Sequence, residues 1–266
     1  MVTMLHELRL FFIALQFLTR VPAPRWVGFV PDWLNQSARH FPAVGLCVGT
    51  VGALVLWAAS FVFPPAVAVG LSIAATLLLT GGFHEDGLAD TFDALGGVVS
   101  RERALAIMKD SRIGSYGALA LLVVLGLKAA TLTALPMALA VPALLLAHTA
   151  SRAAAVWLIR VLPYAGDIEH AKAKPLARRV SLADAMVASA WVALLCVGLT
   201  VDRPSHALLI GLSLVLLVIG TGWCRAWLRR RLGGYTGDAL GATQQLTELL
   251  VLLAWLAAAG VTRWAA

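Results

Sequence analysis

Long apolar runs separated by short polar loops leave this chain few ways to fold. A run must reach about 20 residues to cross the hydrocarbon core of a bilayer as a helix. The stretches 41–63, 66–83, 117–135, 137–162, 186–201, 207–222 and 239–260 are the spans the sequence offers. The fifth and sixth are short for a crossing and must draw on flanking residues. With 60% hydrophobic and 13% charged residues and a mean hydropathy of +0.85, the chain lies outside the composition of soluble domains. The predicted class is all-α: a polytopic integral membrane helix bundle of about seven transmembrane helices, one catalytic domain over residues 1–266.

Residues 1–20 are too charged for a secretory signal, because Glu7 and Arg9 split the apolar run and no small-residue cleavage site follows. They read as an interfacial helix with Leu8, Phe11, Phe12 and Leu15 on the apolar face and Arg9 and Arg20 toward headgroups. Val21-Pro22-Ala23-Pro24 ends it, since proline lacks an amide donor and restricts its predecessor.

The basic residues set the orientation. Arg9, Arg20, Arg25 and Arg39 precede the first span, and Arg101, Arg103, Lys109 and Arg112 lie between the second and third. Lys172, Lys174, Arg178 and Arg179 follow the fourth, and Arg225, Arg229, Arg230 and Arg231 the sixth, leaving Arg203 and Arg263 on the other side. The positive-inside rule then makes the segments 1–40, 84–116, 163–185 and 223–238 cytoplasmic. The net charge of +7 is foremost this topological bias, and it also favours anionic headgroups and substrates. Basic residues scattered over separate loops, with no aromatic-interleaved stripe, exclude nucleic acid as a partner. Cys47, Cys196 and Cys224 have no paired spacing and read as packing residues.

Directly after the second apolar run comes Gly81-Gly82-Phe83-His84-Glu85-Asp86-Gly87-Leu88-Ala89-Asp90-Thr91-Phe92-Asp93. Asp86, Asp90 and Asp93 are spaced i, i+4, i+7 and share one helical face. Three close carboxylates repel one another unless a cation sits among them. The alternatives from spacing are a divalent-metal site and a solvated acidic helix end.

Lys128, Arg152 and Glu248 fall inside apolar spans, where a lone charge costs about 2.5–3.5 kcal/mol and faces a cavity or a partner. Arg152 is read either as a phosphate ligand pointing into a cytoplasm-facing pocket or as an ion-pair partner of Glu248, and Lys128 as a structural pairing. The loop Lys109-Asp110-Ser111-Arg112, ahead of glycines, suits phosphate oxygens held by charge-assisted donors and backbone amides. The last span opens with Asp238, readable as a cap, and carries Gln244, Gln245 and Glu248 unusually deep, so it reads as pocket-lining.

The segments Phe17-Leu18-Thr19-Arg20-Val21-Pro22, His84 to Asp93, Lys109 to Gly117 and Gly237-Asp238-Ala239-Leu240-Gly241-Ala242 resemble, in order, the adenosylcobinamide-GDP ribazoletransferase (cobalamin 5'-phosphate synthase) family. The resemblance implies a magnesium-dependent, multi-pass enzyme of the bacterial cytoplasmic (inner) membrane. It would join adenosylcobinamide-GDP to alpha-ribazole or its 5'-phosphate and release GMP. Two departures stand out: Glu85 occupies a position expected to be apolar, and Ala94 follows Asp93 where glycine is expected. On this reading Mg²⁺ is held by Asp86, Asp90 and Asp93, and Lys109, Arg112 and Arg152 clamp phosphate oxygens. Asp93 or Asp110 is the general base, with His84 the alternative.

Two other classes carry related features. A CDP-alcohol phosphotransferase also sets spaced aspartates at a helix end, but here Ala89 is followed by Asp90 where that pattern has arginine. A transporter gathers binding groups at the bilayer midplane between repeats, whereas most polar residues of this chain collect at one face.

Overall fold

The computed structural model describes residues 4–28, 30–166 and 179–264, and side chains as far as Gly260. Lys172, Lys174 and Arg178 lie outside the described residues, as does the Arg263 side chain. Eleven helices appear among them: α1 (Met4–Leu18), α2 (Pro31–Ser37), α3 (Phe41–Ala59), α4 (Pro65–Thr80), α5 (Phe83–Leu95), α6 (Arg101–Ile107), α7 (Ser115–Ala134), α8 (Met137–Val161), α9 (Leu182–Asp202), α10 (His206–Leu232) and α11 (Gly237–Trp264). The β pairing described is one isolated bridge, Tyr164 to Tyr235. The chain is an all-α, multi-pass membrane protein.

Six helices are long and apolar enough to cross a bilayer, and a seventh span exists if α4 and α5 count as one broken element. The two short apolar runs do recruit their flanks, becoming the 21 residues of α9 and the 27 of α10. The second expected span, 66–83, instead stops at Thr80. Gly81 and Gly82 both take left-handed φ angles, 73° and 68°, a conformation that costs a side-chain-bearing residue about 1–2 kcal/mol. The chain therefore turns by 89° between α4 and α5, and the acidic motif leaves the direction of the spanning limb.

α8 is the axis of the bundle: 83% of its apolar window is buried, against 22% for α9. Small residues on α3 let the two backbones approach closely. A Cβ on Gly45 would collide with the His148 carbonyl, and one on Gly49 would lie 3.1 Å from that of Leu144. Ser72 of α4 donates to the Gly52 carbonyl at 2.7 Å, adding a polar link on the other side of α3. The inner faces of α8 and α11 supply much of the core, including Leu146, Leu158, Val251, Leu252 and Trp255.

The N-terminal helix presents a different face from the one expected. Leu10, Ile13, Ala14 and Leu18 are buried, while Leu8 is 44% exposed and Phe11, Phe12 and Leu15 are half-buried. Ion pairs explain the rotation. Glu7 accepts from Arg39 at 2.9 Å and meets the His40 ring at 2.8 Å, and Arg39 also pairs with Asp184 of α9. Arg9 lies over the Trp33 ring, 5.6 Å from its centroid, rather than turned to headgroups.

On the face where α5 and α6 lie, basic side chains close helix C-termini, where unsatisfied carbonyls favour cations. Arg101 donates to the Leu232 carbonyl at 2.7 Å. Arg231 donates to Leu95 and Gly97 carbonyls at 3.0 and 2.6 Å. The α8 and α10 exits are tied together by Ala165 to Tyr235 and Tyr235 to Pro163 backbone bonds of 2.8 and 2.9 Å. These links hold the loops that surround the acidic helix.

Candidate active site

The turn at Gly81-Gly82 opens a cleft of about 610 Å³ lined by Arg20, Thr80, Glu85, Asp86, Asp90 and Ser111, among others. One helical turn apart, Asp86 and Asp90 face it together, the first exposed and the second half-buried. α5, turned 89° off α4, is not itself one of the six helices long and apolar enough to cross a bilayer. Burial, then the charges of Asp86, Asp238 and Asp93, push the Asp90 carboxyl from 3.8 up to about 7. Two carboxylates in a partly desolvated cleft thus lack a compensating cation of their own.

Arg20 is the basic residue facing them, and sequence reasoning placed it at the headgroups. Its backbone N–H donates to the Leu79 carbonyl at 2.8 Å. Its guanidinium lies against the Gly81 turn, where a Cβ would sit 2.7 Å from Nε. No described carboxylate lies within 4 Å of it. The signal for this role was Phe17-Leu18-Thr19-Arg20, which marked the family but not the function.

Asp93 does not join the pair in the cleft. Its two oxygens accept the backbone amides of Gly114 at 2.7 Å and Gly117 at 2.8 Å, capping the first turn of α7 from outside. Glycine is required at both places, since a Cβ would meet the Asp93 carboxylate. Among the described residues no group of three His, Cys, Asp or Glu side chains is gathered for a metal ion. The three-aspartate face is therefore split into a cleft pair and a structural cap.

Asp110 and Arg112 are bound to each other. Arg112 donates to both Asp110 oxygens, with contacts from 2.5 to 3.1 Å. That guanidinium and the Arg112 backbone amide hold the Asp110 carboxyl down at about 2, too acidic for a general base near neutrality. Neither residue lines the cleft, although Ser111 between them and Ile113 just after them do. Lys109 is exposed just past the end of α6 and also lies off the cleft lining. His84 is buried, its backbone against Gly241 and its ring 5.3 Å from that of Phe83.

Below the cleft lies a buried polar network that joins four helices. Gln245 of α11 donates to Glu85 of α5 at 2.8 Å and to Gln244 at 2.8 Å, and accepts from Lys128 of α7 at 2.8 Å. Glu248 meets Lys128 at 2.5 Å, His148 of α8 at 3.0 Å and Gln244 at 2.5 Å. Gln244 also donates to Ser151 at 3.0 Å. The Lys128 pairing expected from sequence is present, while Glu248 pairs with Lys128 and His148 rather than with Arg152. Arg152, 2% exposed, donates to the His148 carbonyl at 2.9 Å, and its Nε has no partner. Gln244 and Glu248 line this network rather than the cleft, and Asp238, also off the cleft lining, packs its backbone against Gly87 of α5. Thr236, not Asp238, caps α11 by accepting the Ala239 amide at 3.1 Å.

Sequence reading missed Gln245 as the link and His148 as a partner of Glu248. It also left Glu85 aside. Glu85 reaches from the cleft lining to Gln245 with one oxygen, and its other oxygen is enclosed without a hydrogen-bond partner.

Fold and site together define a multi-pass membrane protein with an acidic cleft, lined also by Arg20, at one end of its helix bundle. The model of the family described as cobalamin-5-phosphate synthase matches residues 10–256. The chain belongs to that family. It is 59% identical over 260 residues to an adenosylcobinamide-GDP ribazoletransferase of Leptothrix cholodnii, covering 97% of this chain and 98% of the relative. It is 44% identical to the protein of the same name from Shewanella amazonensis, covering 96% and 98%, and 45% identical to that of Vibrio cholerae, covering 95% of each. No solved structure matches the chain. The family match favours neither the CDP-alcohol phosphotransferase reading nor the transporter reading.

Proposed function

We propose that this chain is an adenosylcobinamide-GDP ribazoletransferase of the bacterial inner membrane, with its cleft on the cytoplasmic side. It transfers the phospho-cobinamide moiety of adenosylcobinamide-GDP to alpha-ribazole or its 5'-phosphate and releases GMP. The observation that carries this reading is the cleft in which Arg20 faces Asp86 and Asp90. A diphosphate needs both a cation to neutralise its oxygens and carboxylates to hold a metal beside it.

Magnesium fits the cleft. It is bound through one or two carboxylates together with substrate phosphates rather than in an all-protein cage, and Asp90, held partly protonated by burial and by Asp86, Asp238 and Asp93, would ionise more readily beside a cation. Asp86 and Asp90 would hold it; when bound it supplies charge neutralisation on the diphosphate. Arg20 takes non-bridging oxygens on the opposite wall. The hydroxyl of the acceptor attacks the phosphorus joined to cobinamide, GMP departs, and the hydroxyl proton passes to a cleft carboxylate. Glu85 serves here, because Asp93 is committed to two amides and Asp110 to Arg112, while Glu85 lines the cleft and keeps an unpartnered oxygen that substrate entry must uncover. Gln245 fixes the other Glu85 oxygen and so orients the acceptor for the proton.

The test is direct. Membranes carrying the chain are incubated with adenosylcobinamide-GDP, alpha-ribazole 5'-phosphate and Mg²⁺, and GMP is assayed. Release that requires all three components supports the reading, and no release above membranes lacking the chain overturns it.

A further inference from the structure

At the membrane face opposite the acidic cleft, the ends of α8, α9 and α10 enclose a second cavity of about 440 Å³. Met137, Val141, Pro142, Leu145 and Leu199 form an apolar groove, and Arg203 and His206 with Asp202 form its polar corner. Three features make that corner attractive to an anion. First, two long helices begin there, α8 at Met137 and α10 at His206, and neither N-cap residue, Pro136 or Ser205, supplies a side-chain cap. Their dipole ends favour negative charge, although the His206 and Ala207 amides are themselves taken by the Arg203 and Pro204 carbonyls at 2.9 and 3.1 Å. Second, Arg203 is held loosely: its contact with Asp202 is 3.8 Å, and the two side chains are 56% and 74% exposed, a pairing of little strength. Third, His206 is 3% exposed with its ring centroid 5.3 Å from that of Trp255, and its Nδ1 has no hydrogen-bond partner. A buried polar nitrogen left unpaired is costly, so such a group points to a ligand oxygen.

The surroundings decide what carries the anion. The groove is largely apolar, and the flanking Val197, Val201 and Leu208 are 60–78% exposed on a face that meets hydrocarbon. A free phosphate would leave that groove unfilled. We propose that this cavity binds a phospholipid with an anionic headgroup, its acyl chain along Val141, Leu145 and Leu199 and its phosphate at Arg203 and His206. The site is independent of the reading proposed for the cleft, which lies at the other end of the bundle.

The test uses delipidated full-length protein in detergent and native mass spectrometry, with phosphatidylglycerol, phosphatidylethanolamine or inorganic phosphate added separately. The wild type retains one phosphatidylglycerol in preference to phosphatidylethanolamine, and phosphate alone is not retained. Arg203→Gln and His206→Phe each weaken that retention about fivefold or more, the loss of one charge-assisted bond. Arg203 is exposed, so its variant folds and stands alone if the His206 variant does not. Equal phosphatidylglycerol retention by wild type and Arg203→Gln overturns the proposal, as does equal retention of the two lipids or retention of phosphate without an acyl chain.

Discussion

Gln245 donates a 2.8 Å hydrogen bond to Glu85 across the contact between α11 and α5. Through this bond the cleft that faces Arg20, Asp86 and Asp90 is joined to the buried Lys128–Glu248–His148 cluster. The cleft thus rests on a polar lattice inside the bundle.

Breaking that bond should loosen Glu85 without removing it. For Gln245→Leu, which also removes the bonds to Gln244 and Lys128, we expect GMP release to fall about tenfold or more in kcat, with the KM for adenosylcobinamide-GDP little changed. Glu85→Gln should lose more, because the proton acceptor itself is gone. Steady-state kinetics on both variants check this, and a Glu85→Gln enzyme with full kcat removes Glu85 from the proposed role.

Asp93 and Asp90, three residues apart, should fail in different ways. Asp93→Ala leaves two amides at the start of α7 without their acceptor and should cost about 1–3 kcal/mol of stability. Asp90→Asn should leave thermal stability near or above wild type while abolishing GMP release. Thermal unfolding and activity measured on the same preparations separate the two.

The Asp90 carboxyl titrates near 7, against 3.8 unperturbed. Between those values the folded protein holds a proton that the unfolded chain has released, so this group's contribution to stability declines as pH rises through about 7. In magnesium-free buffer the melting temperature should therefore fall between about pH 5 and 8. Magnesium should restore it at the alkaline end, where Asp90 is ionised. Asp90→Asn should flatten both effects. A metal-free melting temperature independent of pH in this window contradicts the assignment.

The Gly81-Gly82 turn sets the 89° bend. Gly82→Ala should cost about 1–2 kcal/mol through its left-handed φ alone. Gly81→Ala adds a clash with Arg20 and should also raise the KM for adenosylcobinamide-GDP. Arg112→Ala, whose guanidinium is spent on Asp110, should change that KM far less than Arg20→Ala. Parallel KM measurements order the four variants.

The membrane class, the span count and the acidic face on α5 were legible because burial in lipid imposes length and periodicity on sequence. The direction of α5 was legible in principle from two consecutive glycines, yet a hydropathy window runs straight through them. The fates of Asp93, Asp110 and Arg112 were not legible. Each is decided by a partner in a loop or on its own short segment, and charge alone does not tell a phosphate clamp from a local pair. Arg20 was hidden for the opposite reason: 61 residues separate it from Gly81, and only the packed fold brings its guanidinium to the cleft. Deep polar residues on α11 did announce a buried network, but which carboxylate paired with which cation depended on the crossing of α7, α8 and α11.

The most direct measurement is magnesium-dependent GMP release by the purified chain in liposomes, wild type against Asp86→Asn, Asp90→Asn and Arg20→Ala. The cleft assignment predicts robust release by wild type, none detectable for the two aspartate variants, and a raised KM for Arg20→Ala. Wild-type turnover by the Asp86 and Asp90 variants at the same magnesium concentration would contradict it.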